Sequence, residues 1–183
     1  MSNQEKTWTI YESPLGPLTL AAGPRGLTDL RFPGKLQFPD EAAKRQMPEV
    51  TEWLDAYFAG ERRSFDLPID MQGTAMQQAV WRELLAIPYG STISYGELAT
   101  RIDPSLFHSQ VEPWQKARVV GAATGRNPVS IIVPCHRVIG ADGSLTGYAG
   151  GLQRKQALLD LERRTLDGAG PPSHWADRQL VLL

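Results

Sequence analysis

The chain's only cysteine lies in the stretch Val133-Pro134-Cys135-His136-Arg137-Val138, the most informative part of the 183-residue sequence. A lone thiol cannot form an intramolecular disulfide, and one cysteine cannot supply a cysteine-rich metal site. An imidazole and a guanidinium follow it directly, and both groups can lower a thiol pKa and so favour the nucleophilic thiolate. The stretch therefore indicates either a reactive cysteine or a buried structural one, and these residues alone leave both open.

The segments on either side of this stretch predict one strand and three helices. The apolar run Val129–Val133 predicts a short buried strand leading into Pro134. A capping box at Ser94 and Glu97 predicts a short helix through Ile102, and Pro113 suits the start of a helix over 114–123. These two helices are compatible with a helix-turn-helix, although the polar loop 103–112 between them is longer than the usual tight turn. Residues 153–164 predict a final amphipathic helix.

The N-terminal third predicts a small antiparallel sheet with one helix. Alternating segments at 7–11, 18–22 and 27–32 predict a three-stranded meander, and 50–58 has helical spacing. Residues 64–68 are a candidate further strand. A capping box at Thr74 and Gln77 then predicts a helix over 76–85 and the start of a second unit. We therefore expect an α/β (α+β) protein with an N-terminal domain at 1–72 and a mostly helical C-terminal domain at 73–183.

Composition and charge restrict the classes of function. No apolar run approaches the roughly 20 residues of a membrane span, and the N-terminus lacks a signal-peptide pattern, so we expect a cytoplasmic protein with a reduced thiol. The net charge of −1 argues against a nonspecific nucleic-acid binder. Residues 111–164, however, carry eight Lys and Arg against four Asp and Glu. This local excess suits a site facing phosphates, and a solvated surface explains it nearly as well.

Taken together, these segments resemble the O6-alkylguanine-DNA alkyltransferases, a family of direct-reversal DNA repair proteins. The resemblance covers roughly residues 74–164. It rests on Arg118–Ala123, Gly125–Val129, Ile131–Gly140 and Gly147–Gly151, with Ile93–Ala99 upstream and Glu162 on the last helix. It implies a ribonuclease H-like N-terminal domain and a C-terminal domain with a helix-turn-helix, and it favours a reactive Cys135 over a structural one.

The resemblance also implies a chemistry. Cys135 would displace the alkyl carbon from O6 of guanine, and His136 would act as base through a water molecule. Glu162 would orient the imidazole, in the nucleophile–base–orienter logic of hydrolytic triads. Tyr95 would protonate or hydrogen-bond the departing guanine anion, and Asn127 would brace the turn before the cysteine.

For DNA, the resemblance implies that the second helix of the pair lies in the minor groove and that the damaged base is flipped out. Arg118 would take the vacated place in the base stack. The small helix residues Ala117, Gly121 and Ala122 would allow close approach to the DNA backbone. Near the cysteine, the flipped base would be held by Val138, Tyr148 and Ala149. The partner would be double-stranded DNA bearing O6-alkylguanine, with O4-alkylthymine as a possible second substrate.

Because the product is a thioether, each molecule would act once, without a cofactor. We expect no metal site, and a monomer when free of DNA. Three other interpretations fit the sequence less well. A lesion-binding relative without chemistry would lack Cys135, and a helix-turn-helix regulator would not need Tyr95, His136 and Glu162. For a cysteine hydrolase, the sequence offers no separate oxyanion-hole signal.

Overall fold

The structure, a computed structural model, describes residues 6–33, 44–61, 63–108 and 111–175. Its strands and α-helices follow in chain order: β1 (Thr7–Ser13), β2 (Gly16–Gly23), β3 (Gly26–Arg31), α1 (Pro48–Phe58), α2 (Ala75–Leu85), β4 (Ile93–Ser94), α3 (Tyr95–Thr100), α4 (Pro113–Thr124), β5 (Val138–Ile139) and α5 (Leu152–Leu166). Short 3-10 helices cover Pro104–Leu106, Cys135–Arg137 and Ser173–Trp175. None of the described helices is long and apolar enough to cross a membrane.

The described residues fall into two compact units. The first lies within Met1–Met71 and Asp160–Leu183, and the second lies within Gln72–Leu159. The second half of α5 therefore clusters with the N-terminal residues, whereas the sequence assigned all of 73–183 to one domain. The boundary after residue 72 stays a prediction. The fold class is confirmed: a small antiparallel sheet with a helix is followed by a mostly helical region.

The first unit is built on the predicted meander. β1, β2 and β3 are antiparallel neighbours in that order, and α1 packs on β1. The inward leucines of the sheet and α1 are fully buried, each stabilising the fold by about 1.5–3 kcal/mol relative to exposure. Gly26 has φ 137°, and a Cβ there would collide with the Pro68 carbonyl. This glycine thus lets the chain at 68–70 hydrogen-bond to Leu27 on the edge strand.

The second unit packs α4 against both α2 and α3. Both predicted capping boxes form: Thr74 with Gln77 begins α2, and Ser94 with Glu97 begins α3. The core consists of fully buried side chains from all three helices: Val80, Leu84, Leu98 and Val120. Trp81 also donates its indole N–H to the Ala123 carbonyl at 3.0 Å, so its one polar atom is satisfied in the core.

A two-stranded parallel ladder positions the site. β4 pairs with β5 through Ile93 with Val138 and Ser94 with Ile139. Tyr95 follows β4 directly, and the Cys135–Arg137 turn precedes β5 directly. Pairing two short strands therefore brings the start of α3 to the segment that carries the cysteine.

Two of the predicted strands are wrong. Residues 130–132 form a turn between a bridge residue, Val129, and a bend at Val133 in place of a buried strand. Ile131 has φ 72°, a positive value that no other described non-glycine residue adopts. Residues 64–68 form no strand, and their neighbourhood contributes only the isolated bridge between Leu27 and Ile69. An apolar run gives the same pattern whether it is buried as a strand or as a turn. The short helix predicted through Ile102 ends at Thr100.

Candidate active site around Cys135

Asn127 organises the turn that presents the cysteine. Its Oδ1 accepts from the Val129 N–H at 3.0 Å, and its Nδ2 donates to the Val133 carbonyl at 2.7 Å. The side chain thus links the two ends of the turn, as Asn and Asp side chains commonly do in loops. Asn127 is only 5% exposed, so each of these bonds satisfies a polar group that is shielded from water.

Cys135 lies at the end of this turn and is buried. Its Sγ accepts a hydrogen bond from Asn127 Nδ2 at 3.1 Å. Burial raises the pKa of the Cys135 thiol; the Asn127 hydrogen bond, the Lys155 charge and the backbone N–H groups of Cys135 and His136 lower it in part. Because the net direction is upward, the resting group is the thiol, and deprotonation needs a base.

Arg137 contacts groups other than the thiol, and the causes that lower the pKa of Cys135 do not include it. Arg137 donates to the Ile87 carbonyl at 2.6 Å and lies over the Tyr89 ring at 5.5 Å. It is nearly buried in that position, where it joins the end of α2 to the segment after the cysteine. The positive charge that favours the Cys135 thiolate is that of Lys155. His136 is fully buried beside the cysteine in the same 3-10 turn.

Tyr95 lies at the first position of α3 with its ring half-buried. Its hydroxyl is 3.2 Å from the Thr146 carbonyl and 3.4 Å from the Gly147 carbonyl, so it donates into that loop. Gly147 has φ 48°, a left-handed conformation that favours glycine, and a Cβ there would lie 3.7 Å from the Tyr95 hydroxyl, an ordinary contact. Burial raises the pKa of Tyr95, and negative charge at Cys135 raises it further. The phenol therefore stays protonated and available as a donor.

Lys155 is a site residue that the sequence analysis missed. Its side chain is fully buried, and its Nζ donates to the Val138 carbonyl at 2.5 Å and the Thr146 carbonyl at 2.8 Å. The ammonium also lies 5.9 Å from the centre of the Tyr95 ring. Burial lowers the pKa of Lys155, while the negative charge that Cys135 can carry raises it. One signal was available: Lys155 shares the buried stripe of α5 with Leu158 and Glu162, three and seven residues on.

A small, partly enclosed pocket lies at the cysteine. Its walls include four residues named from the sequence as pocket or site residues, Asn127, Cys135, Tyr148 and Ala149, together with Ser130 and Gly147. Val138 does not line this pocket; its side chain is buried on β5 and its carbonyl accepts from Lys155. The turn and the 147–149 loop thus form a cavity with the thiol in its wall.

The outer face of α4 carries the residues named for DNA. Arg118 is exposed, with its guanidinium 5.8 Å from the centre of the Trp114 ring. Ala122 is also exposed, and Ala117 and Gly121 are half-buried. Gly121 faces Tyr95: a Cβ there would meet the ring at 3.6 Å, an ordinary contact.

Glu162 belongs to the first unit. Its side chain is fully buried, and its Oε1 accepts from the Tyr57 hydroxyl at 2.9 Å. A carboxylate removed from water requires such partners, because an uncompensated buried charge is costly. In the described part of the chain, no group of three or more His, Cys, Asp or Glu residues could hold a metal ion.

Two family models match nearly the whole described chain. The DNA-binding domain of 6-O-methylguanine DNA methyltransferase matches residues 75–164, and the ribonuclease-like domain of the same proteins matches residues 6–71. The chain is 49% identical over 163 residues to a methylated-DNA–protein-cysteine methyltransferase of Mycobacterium tuberculosis, covering 85% of this chain and 92% of the relative. It is 45% identical over 160 residues to the protein of that name in Methanosarcina acetivorans, with coverage of 85% and 97%.

Solved structures of proteins with related names are also similar to this chain. The Mycobacterium tuberculosis OGT in complex with DNA is 43% identical with a TM-score of 0.73, covering 92% of this chain and 96% of that chain. The O6-methylguanine methyltransferase of that organism is 44% identical, also with a TM-score of 0.73, over 87% and 94%. With both domains matched and relatives near half identical, the chain belongs to the 6-O-methylguanine DNA methyltransferase family and is an enzyme of the methylated-DNA–protein-cysteine methyltransferase class.

Proposed function

We propose that this protein repairs DNA by flipping O6-alkylguanine out of the duplex and transferring the alkyl group irreversibly to Cys135. The observation that carries the proposal is the buried Cys135 thiol in a pocket wall, bonded to Asn127, within a chain that matches both family domains. O4-alkylthymine is proposed as a second substrate, because it presents a similar alkyl ether on a base. The two-domain division at residue 72 is proposed with it.

Because the pKa of the Cys135 thiol is raised, the reaction requires a base that removes the thiol proton. In the proposed step His136, through a water molecule, takes the thiol proton as the sulfur attacks the alkyl carbon. The S–C bond forms, the bond from carbon to O6 breaks, and the electron pair leaves with the guanine. Glu162 is proposed to orient the imidazole; its complete burial and its bond from Tyr57 support a fixed carboxylate.

The guanine anion then needs a donor. Tyr95 is proposed for this role, supported by its raised pKa, which keeps the phenol protonated. In the free protein its hydroxyl donates to the loop at Thr146 and Gly147, so binding the base would redirect that bond. Backbone groups of Cys135 and Val138 are proposed to hold the guanine edge, since a carbonyl such as that of Val138 has a second lone pair beside the one Lys155 uses. Tyr148 and Ala149 would line the O6 side.

We propose that α3 and α4 act as a helix-turn-helix whose second helix enters the minor groove. Arg118 would fill the gap left by the flipped base, offsetting part of the few kcal/mol that unstacking costs. Its exposure on α4 supports this role, as do the small residues Ala117, Gly121 and Ala122 along the same helix. The binding would be largely independent of sequence. The protein is further proposed to be cytoplasmic, monomeric when free and independent of any cofactor.

The test uses the DNA as readout. A duplex with one O6-methylguanine in a restriction site that methylation blocks is mixed with the protein and then digested. We expect cleavage to be restored in proportion to protein added, one site per molecule, and not at all with Cys135→Ser. Restoration by the serine variant, or many sites repaired per molecule, would refute transfer to Cys135 as the single event.

A further inference from the structure

Trp114 is exposed, unlike the other tryptophans. All five lie in the described part of the chain, and Trp114 is 58% exposed. The other four are at most 8% exposed: Trp8, Trp53, Trp81 and Trp175. A large aromatic ring left in water forgoes its favourable burial, and tryptophan is enriched at interfaces, where its ring can bury against a partner.

Trp114 is held in this exposed position by a well-anchored helix start. Pro113 occupies the first turn of α4, and the Glu112 N–H donates to Gln115 Oε1 at 2.8 Å. One turn further in, the Lys116 ammonium lies 5.3 Å from the ring of Phe107, which is itself buried in the preceding loop. Phe107 thus contacts α4 at Lys116, whereas Trp114 on the same helix is exposed.

Trp114 lies at the N-terminal end of a basic stripe, which comprises Trp114, Arg118, Ala122 and Arg126. Trp114, Arg118 and Ala122 follow one another at intervals of four residues on α4, and Arg126 comes two residues after the helix ends; all four are exposed. Residues four apart lie on one face of a helix, so the indole extends the face of Arg118 by one turn. Arg118 lies with its guanidinium 5.8 Å from the indole centre. No acidic residue occurs within α4 itself.

We propose that Trp114 is a DNA-contacting residue: it docks the Arg118 side chain in the free protein and packs on the deoxyribose and base edges of the minor groove in the complex. This inference rests on the proposed function and extends the DNA surface beyond the residues identified from the family resemblance. An exposed cation–π contact contributes only about 0.5–1 kcal/mol, so Arg118 can leave the indole when it enters the base stack. The released ring is then free to contact the minor groove, where architectural DNA-binding proteins frequently place apolar side chains.

Duplex DNA fits this surface better than a second copy of the chain. A two-fold contact through the stripe would place Arg118 and Arg126 of one copy close to the same arginines of the other. Like charges brought together in this way oppose association, whereas the phosphates along a groove complement them.

The experiment is acrylamide quenching of tryptophan fluorescence, which selects Trp114 because the other four indoles are buried. We expect a quenchable fraction in the free wild type that disappears when undamaged duplex is added to saturation. Trp114→Phe should lack that fraction with or without DNA. Unchanged quenching in a DNA-saturated sample would overturn the inference, and so would protection that grows with protein concentration in the absence of DNA, since that means self-association.

Affinity supplies a second readout. Trp114→Ala is expected to bind undamaged duplex about tenfold more weakly, because the apolar surface that the indole buries in the groove is lost. Leu85→Ala is the matched control, because Leu85 is a 44% exposed apolar residue of α2 in the same unit. Equal affinities of Trp114→Ala and wild type would contradict the proposal. Wild-type repair is scored separately: DNA protection of Trp114 without methyl transfer would refute the proposed function alone, and transfer without protection would refute this inference alone.

Discussion

Replacing Asn127 with alanine tests how the turn holds the nucleophile. The substitution removes three hydrogen bonds, to the Val129 N–H, the Val133 carbonyl and Cys135 Sγ. The Val133 carbonyl still accepts from the Cys135 N–H, so the loss of its bond from Asn127 costs only about 0.5–1.5 kcal/mol of stability. The Val129 N–H is left buried without its acceptor, at about 1–3 kcal/mol. We therefore expect the free energy of unfolding to fall by about 3 kcal/mol, within the range of severe single substitutions.

The same variant should also raise the pKa of the Cys135 thiol. Because the Asn127 hydrogen bond lowers the pKa of Cys135, its loss moves that pKa further above the ordinary value. Urea unfolding gives the stability, and the pH dependence of iodoacetamide alkylation in the folded protein gives the thiol pKa. Alkylation should shift to higher pH in Asn127→Ala and methyl transfer should slow. A stability loss below about 1 kcal/mol together with an unchanged alkylation profile would refute the reasoning.

Three further substitutions follow from the site. Lys155→Met removes the charge that lowers the thiol pKa, so alkylation of Cys135 should move to higher pH and methyl transfer should slow about tenfold at neutral pH; an unshifted pH profile would contradict this. Tyr95→Phe should lower the single-turnover transfer rate by about 10²-fold, the usual cost of one donor to a developing anion, with duplex affinity by fluorescence anisotropy nearly unchanged. Arg118→Ala should slow transfer from duplex about tenfold or more and leave transfer from single strands almost unaffected, since only the duplex requires unstacking; equal slowing of both would argue against a base-stack role.

The sheet and the helices could be read from the sequence because their signals are local. Alternation over 7–11 and 18–22 predicted strands that form, and the capping boxes at Thr74 and Ser94 mark the starts of α2 and α3. Each of these signals spans a few neighbouring residues. Contacts with distant residues therefore change these strands and helix starts little.

The turn before Cys135 could not be read in the same way. Residues 129–133 have the composition of a buried strand, but the Asn127 side chain bonds across the segment and Ile131 adopts a positive φ. The roles of Lys155 and Arg137 depend on carbonyls far along the chain, at Val138, Thr146 and Ile87. A charged residue is ordinarily expected on the surface. Only the fold reveals which carbonyls make its burial possible.

Irreversible transfer of the alkyl group to Cys135 is the central claim, and the intact mass of the protein tests it most directly. The protein is mixed with duplex containing one O6-methylguanine, beside Cys135→Ser, and the product is then mapped by peptide digestion. The account predicts the gain of a single methyl group on the peptide that carries Cys135, stable to excess thiol, and no change in the serine variant. Lesion binding with no change in mass, or a methyl group found on another residue, would contradict it.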